Sequence, residues 1–179
     1  MKATGIVRKI DDLGRVVIPK EIRRTMRIRD GDPLEIYTNT EGEVIFKKYS
    51  PIGEMASFAA QYADVLYKMG NVPAVICDRD HVVAVAGIPK KELMERRITP
   101  AVEEVMESRK ALTFSDASKA IRPVEGVDKY ASVCCPIIAD GDVAGGVMLI
   151  ADRENHAPNE VQLKLAQAAA AFIAKQMEE

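Results

Sequence analysis

The sequence predicts an α+β protein in two parts: a very small mixed module, then a larger antiparallel sheet with flanking helices. Three observations predict this. Short β-branched runs alternate with turn signals over the first fifty residues, around one brief helical stretch. Strand-like and helix-like segments then alternate over about 125 residues. Charge is divided unequally between the two parts. Residues 1–50 hold 11 basic and 8 acidic side chains, while the remainder holds 14 and 19. The overall net charge of −2 hides a net of +6 over residues 1–29. A basic segment on an acidic body points that segment toward a polyanion.

Gly5–Ile10 reads as a first short strand, Asp11-Asp12-Leu13-Gly14 as a turn, and Arg15–Ile18 as a second strand. Pro19 ends that strand and suits the first turn of a helix, where a missing N–H costs nothing. The spacing predicts a helix from Lys20 to Arg27, with Ile22 and Met26 on one face. Gly31-Asp32-Pro33 stops it. Leu34–Thr38 and Val44–Lys48 then read as strands joined through Asn39-Thr40-Glu41-Gly42. This β-β-α-β-β order is too short for a core of its own. No Cys or His precedes Cys77, so neither a disulfide nor a thiol or imidazole metal site can staple it. A second copy of the chain is the remaining route, which predicts a dimer.

Ser50-Pro51 marks the boundary between domains at 1–50 and 51–179. Ile52, Met55, Ala59, Tyr62, Leu66 and Met69 follow alternating spacings of three and four, an a/d seam widened by Phe58 and Val65. Such a stripe either packs on its own domain or also joins chains. Val72–Cys77 and His81–Ala86 read as a hairpin, Lys90–Ile98 and Pro100–Ser108 as helices, and Ala111–Phe114 as a short strand. Ser115–Lys129 reads as a long loop. Ala131–Ala139 and Val143–Ala151 pair through Asp140-Gly141-Asp142, with a bulge or close approach expected at Gly145-Gly146. Asn159 caps a last helix, Glu160–Met177.

Arginine outnumbers lysine six to three over residues 1–29. Its planar fork holds two acceptors at once, which suits phosphate and guanine. Catalytic motifs are lacking: no nucleophile elbow, P-loop or HExxH occurs, so the chain is expected not to be an enzyme. Cys134 and Cys135 are adjacent in a strand and point to opposite faces. With Cys77 they read as small buried apolar residues, or else as a sensing thiol. His81 and His156 are isolated. Cys77, Asp78, Asp80 and His81 could be drawn as a metal set, but the hairpin places the acids in a turn, and no metal is expected. No apolar run approaches the roughly 18 residues that span a bilayer, and the start of the chain lacks a signal-peptide core, which places the protein in the cytoplasm with no membrane partner.

The run from Gly5 to Arg23, and above all its GRVVIPKEIRR core continued by GDPLEIY, strongly resembles the AbrB-type swapped-hairpin domain. The resemblance implies that two chains exchange hairpins to close one small β-barrel. It also implies double-stranded DNA as the partner, contacted by arginines at the positions of Arg8, Arg15, Arg23 and Arg24. Lys9 joins that basic surface. The hairpin from Pro136 to Val147 resembles a GAF domain, a small sensory fold. The pairing of the two is similar to a family of sporulation transcription regulators in endospore-forming bacteria. It implies a homotetramer joined through helices such as Ile52–Met69, a nucleoid-associated place in the forespore, and either sign of regulation. The GAF likeness implies a fold whose members hold cyclic nucleotides, amino acids or chromophores; no motif here selects one, so no resident cofactor is expected, and the alternatives are an unidentified small effector or no ligand at all. Two alternatives stand beside this reading. One is an antitoxin-like interaction protein, since the same N-terminal fold occurs in antitoxins. The other is a cysteine-dependent GAF-class enzyme.

Overall fold

The computed structural model describes residues 4–114, 120–151 and 157–178. Lys2, His156 and part of the Ser115–Lys129 loop lie outside the described residues. The chain divides into two compact units, Met1–Tyr49 and Ser50–Glu179.

In unit 1, α1 spans Lys20–Met26, and Pro19 sets its entry with φ −57°. Arg27 ends the helix in the left-handed conformation, and the Ile28 N–H donates back to the Arg23 carbonyl at 2.8 Å. β1 (Leu34–Thr38) and β2 (Val44–Lys48) form an antiparallel hairpin with Ile36 opposite Phe46. These bounds match the strand expectations. The two strands expected at Gly5–Ile10 and Arg15–Ile18 are absent: both stretches are irregular, and no closed barrel forms within one chain. A strand exists only through a neighbour's hydrogen bonds. Here the Asp11 N–H donates to the Arg15 carbonyl at 3.1 Å, at the mouth of the turn. Val7 is 88% exposed and Val17 72%. Among the described residues of unit 1, only Pro19 is buried.

Unit 2 begins with α2 (Pro51–Glu54) and α3 (Ala56–Gly70). The expected single helix breaks at Met55, whose ψ of 21° leaves the helical range. β3 (Ala74–Asp78) and β4 (Val82–Ala86) form the first hairpin. The helix expected over Lys90–Ile98 shrinks to α4, Lys90–Leu93, because Arg96 and Glu95 turn aside to bond the backbone of Val82. α5 (Pro100–Glu107) follows, N-capped by the Thr99 hydroxyl. β5 is only Leu112–Thr113. β6 (Tyr130–Ala139) and β7 (Asp142–Ala151) meet at a two-residue turn, with Asp140 and Gly141 both at positive φ. α6 (Glu160–Met177) starts at a capping box made by Asn159 and Gln162.

The five strands form one antiparallel sheet in the order β4-β3-β7-β6-β5. Side-chain alternation feeds two apolar clusters, one on each face. Ala74, Ile76, Cys135 and Leu149 face α3 and α6, which contribute Ala59, Ala63, Leu66, Ala169 and Ile173. Val75, Cys77, Cys134 and Met148 face α4 and α5 through Leu93, Val102 and Met106. Cys134 and Cys135 thus point oppositely, as period-two alternation requires. The close approach expected at Gly145 is present. A side chain there would run into the Cys77 carbonyl, and into the Ile52 Cδ1 of α2 at 2.6 Å. Ile52 therefore seats α2 in a notch that only glycine leaves open.

Candidate nucleic-acid interface

Unit 1 presents the basic residues expected to meet DNA in two places. The first is the turn from Asp11 to Arg15. Asp11 Oδ1 accepts the backbone N–H groups of Leu13 at 3.0 Å and Arg15 at 2.7 Å, which closes the turn. Asp11 Oδ2 accepts Nε–H of the Arg15 side chain at 2.7 Å. The backbone N–H of Arg15, then its guanidinium, hold the Asp11 carboxyl below its ordinary value. Arg8 and Lys9, both expected to meet DNA, precede this turn and are exposed.

The second place is the last turn of α1, where Arg23 and Arg24 lie beside the helix's terminal carbonyls. Arg23 Nη1 donates to Asp30 Oδ1 at 2.7 Å, and Arg24 is exposed. The loop beyond is pinned from behind. Asp32 Oδ2 accepts the Arg29 N–H at 2.8 Å, and Lys48 Nζ, 3.4 Å from that carboxylate, donates to the Arg27 carbonyl at 3.0 Å. Lys48 of β2 thereby ties the end of α1 to the hairpin. Sequence reasoning missed Asp11, Asp30, Asp32 and Lys48 as partners. An acid four residues before Arg15 in a glycine-ended turn was the available signal for the first. Nothing in spacing pointed to the other three.

The six residues expected to join chains separate into groups. Ile52, Ala59 and Leu66 are buried within unit 2 and have no surface left for a partner. Met55 is half-buried at the helix break. Tyr62 is half-buried and stacks on Phe172 of α6 with centroids 5.5 Å apart, and Phe58 lies within 6.0 Å of both rings. Met69 is exposed, as are Val65 and Val161.

The drawn metal set does not assemble. Asp78 Oδ1 accepts the N–H groups of Asp80 and His81 at 2.7 and 2.6 Å, and its Oδ2 accepts the Ser50 hydroxyl at 2.8 Å. The carboxylate shapes a turn. Among the described residues no group of three or more His, Cys, Asp or Glu could hold a metal ion. All three thiols are buried. Burial pushes Cys134 up to about 12 and Cys135 to about 11, and Cys77 well above its ordinary value. They are neutral thiols near pH 7 and poor nucleophiles. No described helix is long and apolar enough to cross a membrane.

Residues 54–178 match the family model described as stage V sporulation protein T C-terminal, transcription factor. The chain is also 49% identical, over the whole of both sequences, to stage V sporulation protein T of Bacillus subtilis. The chain belongs to the stage V sporulation protein T family. Residues 7–53 match the model described as antidote-toxin recognition MazE, bacterial antitoxin. The transition state regulatory protein AbrB of Bacillus subtilis is 63% identical over 51 residues, 28% of this chain and 52% of that protein. Unit 1 is thus AbrB-like in sequence. Unit 2 has the GAF fold: the GAF domain of an Acinetobacter phosphoenolpyruvate-protein phosphotransferase superposes with a TM-score of 0.58 at 13% identity, covering 73% of this chain and 84% of that one. In this member of the stage V sporulation protein T family, the arginine set therefore sits on the AbrB-like unit.

Proposed function

We propose that this chain is a DNA-binding regulator of sporulation genes that acts as a homo-oligomer in the cytoplasm, at the nucleoid and within the forespore. The observation that carries the reading is a basic set, exposed at Arg8, Lys9, Arg15 and Arg24 and half-buried at Arg23, on a unit that buries almost nothing alone. Two chains would pair the irregular stretches Gly5–Ile10 and Arg15–Ile18, close a barrel, and double the set Arg8, Lys9, Arg15, Arg23 and Arg24. Arginines that neutralise phosphates set affinity, and any that reach base edges set sequence preference. Phe58, Tyr62 and Phe172, with exposed Val65, Met69 and Val161, give α3 and α6 an apolar face suited to joining two dimers into a tetramer. Joined heads bind DNA more tightly by raised effective concentration. The GAF-fold unit would take a small effector and no resident cofactor. An effector acts on DNA binding only through different affinity for two arrangements of the heads.

The test is a DNA titration across salt concentrations. Removing one arginine that neutralises a phosphate lowers the logarithmic salt slope by about one. Arg15→Ala and Arg23→Ala are both expected to weaken binding, and Arg23→Ala to flatten the slope. A wild-type protein whose binding ignores salt, matched by both variants, would sink the reading. The antitoxin reading rests on the match of residues 7–53 to an antitoxin model. Copurification of a small toxin with the full chain would favour it. Catalysis through the cysteines is disfavoured by their burial.

A further inference from the structure

We infer that Asp11 is a positioning residue that aims Arg15 at a base edge, whereas Asp30 screens Arg23 as a phosphate-binding group. This rests on the DNA-binding reading above and adds the division of labour within it. The two arginines are held by different nitrogens. Asp11 takes Nε–H of Arg15, the nitrogen nearest the stem, at 2.7 Å. That leaves both terminal nitrogens of the guanidinium, four N–H groups in one plane, facing outward as a fork. The Arg15 side chain is 70% exposed, so the fork meets solvent and not the protein. The same carboxylate closes the turn through its other oxygen. One carboxylate in one short loop therefore fixes the direction of one guanidinium before any ligand arrives. A pre-aimed fork is the geometry that reads two adjacent acceptors, such as O6 and N7 of guanine.

Asp30 does the opposite. It takes a terminal nitrogen of Arg23, Nη1, and so occupies half of that fork. Its own side chain is 95% exposed, and among the described residues it holds no backbone N–H that would fix it. A phosphate exchanges readily with such a carboxylate. Arg23 is thereby suited to the DNA backbone, where binding sets affinity and carries no sequence information.

The variant that separates positioning from charge is Asp11→Asn. Asparagine Oδ1 still accepts the Leu13 and Arg15 N–H groups, so the turn survives. Its amide nitrogen then meets the Arg15 Nε–H as donor against donor, and the guanidinium loses its anchor. The net charge of the face rises by one, so charge alone predicts tighter binding to every duplex. Positioning predicts the reverse for sequence preference. The full chain is titrated with two probes: a duplex recovered from genomic fragments that the protein retains, and a scrambled duplex of equal length and base composition. Asp11→Asn is expected to lower the ratio of the two affinities by about tenfold, the range of one bidentate pair. Arg15→Lys, which keeps the charge but has no Nε–H to anchor, is expected to lower it as far, and the double variant no further. Asp30→Asn is expected to tighten both duplexes by a similar factor.

An unchanged ratio for Asp11→Asn, with salt-dependent wild-type binding, overturns the positioning role and leaves the DNA-binding reading standing. Equal wild-type affinity for the two duplexes does the same. Wild-type binding that ignores salt overturns both. If Asp11→Asn fails to fold by circular dichroism, Arg15→Lys decides alone: a preserved ratio overturns the inference, and a ratio lowered about tenfold supports it.

Discussion

Unit 2 buries an apolar cluster on each face of its sheet, drawn from every helix and from the four long strands. Unit 1 has a helix with no buried residue, a hairpin whose Ile36, Val44 and Phe46 are exposed, and an apolar N-terminal stretch open to water. Both units have sound local chemistry: caps, turns and antiparallel register. The difference lies in whether the local pieces find one another within a single chain. Apolar burial is the main term that offsets conformational entropy, and unit 1 lacks it. Local order at Asp11 and Asp32 shapes loops but supplies no core. A unit built this way is the one expected to depend on a partner, and its exposed apolar residues are the surface that a second chain would cover.

The largest expected effect comes from Val17→Asp. Its exposure in one chain assigns the change within about 0.5 kcal/mol of neutral. A barrel closed by a second chain buries the new carboxylate unpaired, at about 4 kcal/mol, and abolishes dimer and DNA binding together. Sizing and DNA titration distinguish the two outcomes. A neutral Val17→Asp breaks the comparison. Next comes Gly145→Ala in unit 2, where the added methyl meets the Cys77 carbonyl and Ile52. It is expected to cost about 3 kcal/mol by urea unfolding, with the salt slope of DNA binding unchanged.

A pH effect separates the units further. Below pH 9.0 the thiols are neutral in both folded and unfolded chains and add nothing. Above it, unfolded thiols ionise while folded Cys135 waits until about 11 and Cys134 until about 12. Unit 2 therefore loses stability as pH rises through that interval. Alkaline titration by circular dichroism should show this loss, and Cys135→Ala should reduce it. Unit 1 has no cysteine and lacks this contribution. The smallest effect is Asn159→Ala, which removes the capping box of α6 at about 1 kcal/mol. A thermal shift confined to unit 2 is the expected readout.

Much of unit 2 was legible in the sequence because its strands and helices are long enough to carry their period. Asp140-Gly141 announces its turn, Asn159 its helix, and the adjacent thiols their opposite faces. The misread elements are the short ones. Lys90–Ile98 has helical composition, yet its second half pairs with Val82, a partner outside the segment's own period. The a/d seam from Ile52 to Met69 was visible, but a stripe does not say which side covers it. Ile52, Ala59 and Leu66 face the sheet, while Tyr62 stacks on the ring of Phe172, on the last helix of the chain. In the candidate site, the arginines were legible by type and by likeness to a known pattern. Their carboxylate partners were not, because hydrogen bonds to a chosen guanidinium nitrogen leave no periodic trace.

The sequence by itself determined the two-part division of charge and most of the element types, and it carries the expectation that the first fifty residues need a partner. These follow from composition, period and length, which are local or additive. Tertiary structure alone decided which helix face is consumed by the sheet, and that Gly145 admits Ile52. It also decided that Arg15 is held at Nε while Arg23 is held at Nη1. Those outcomes depend on close distances between groups that the chain brings together only on folding.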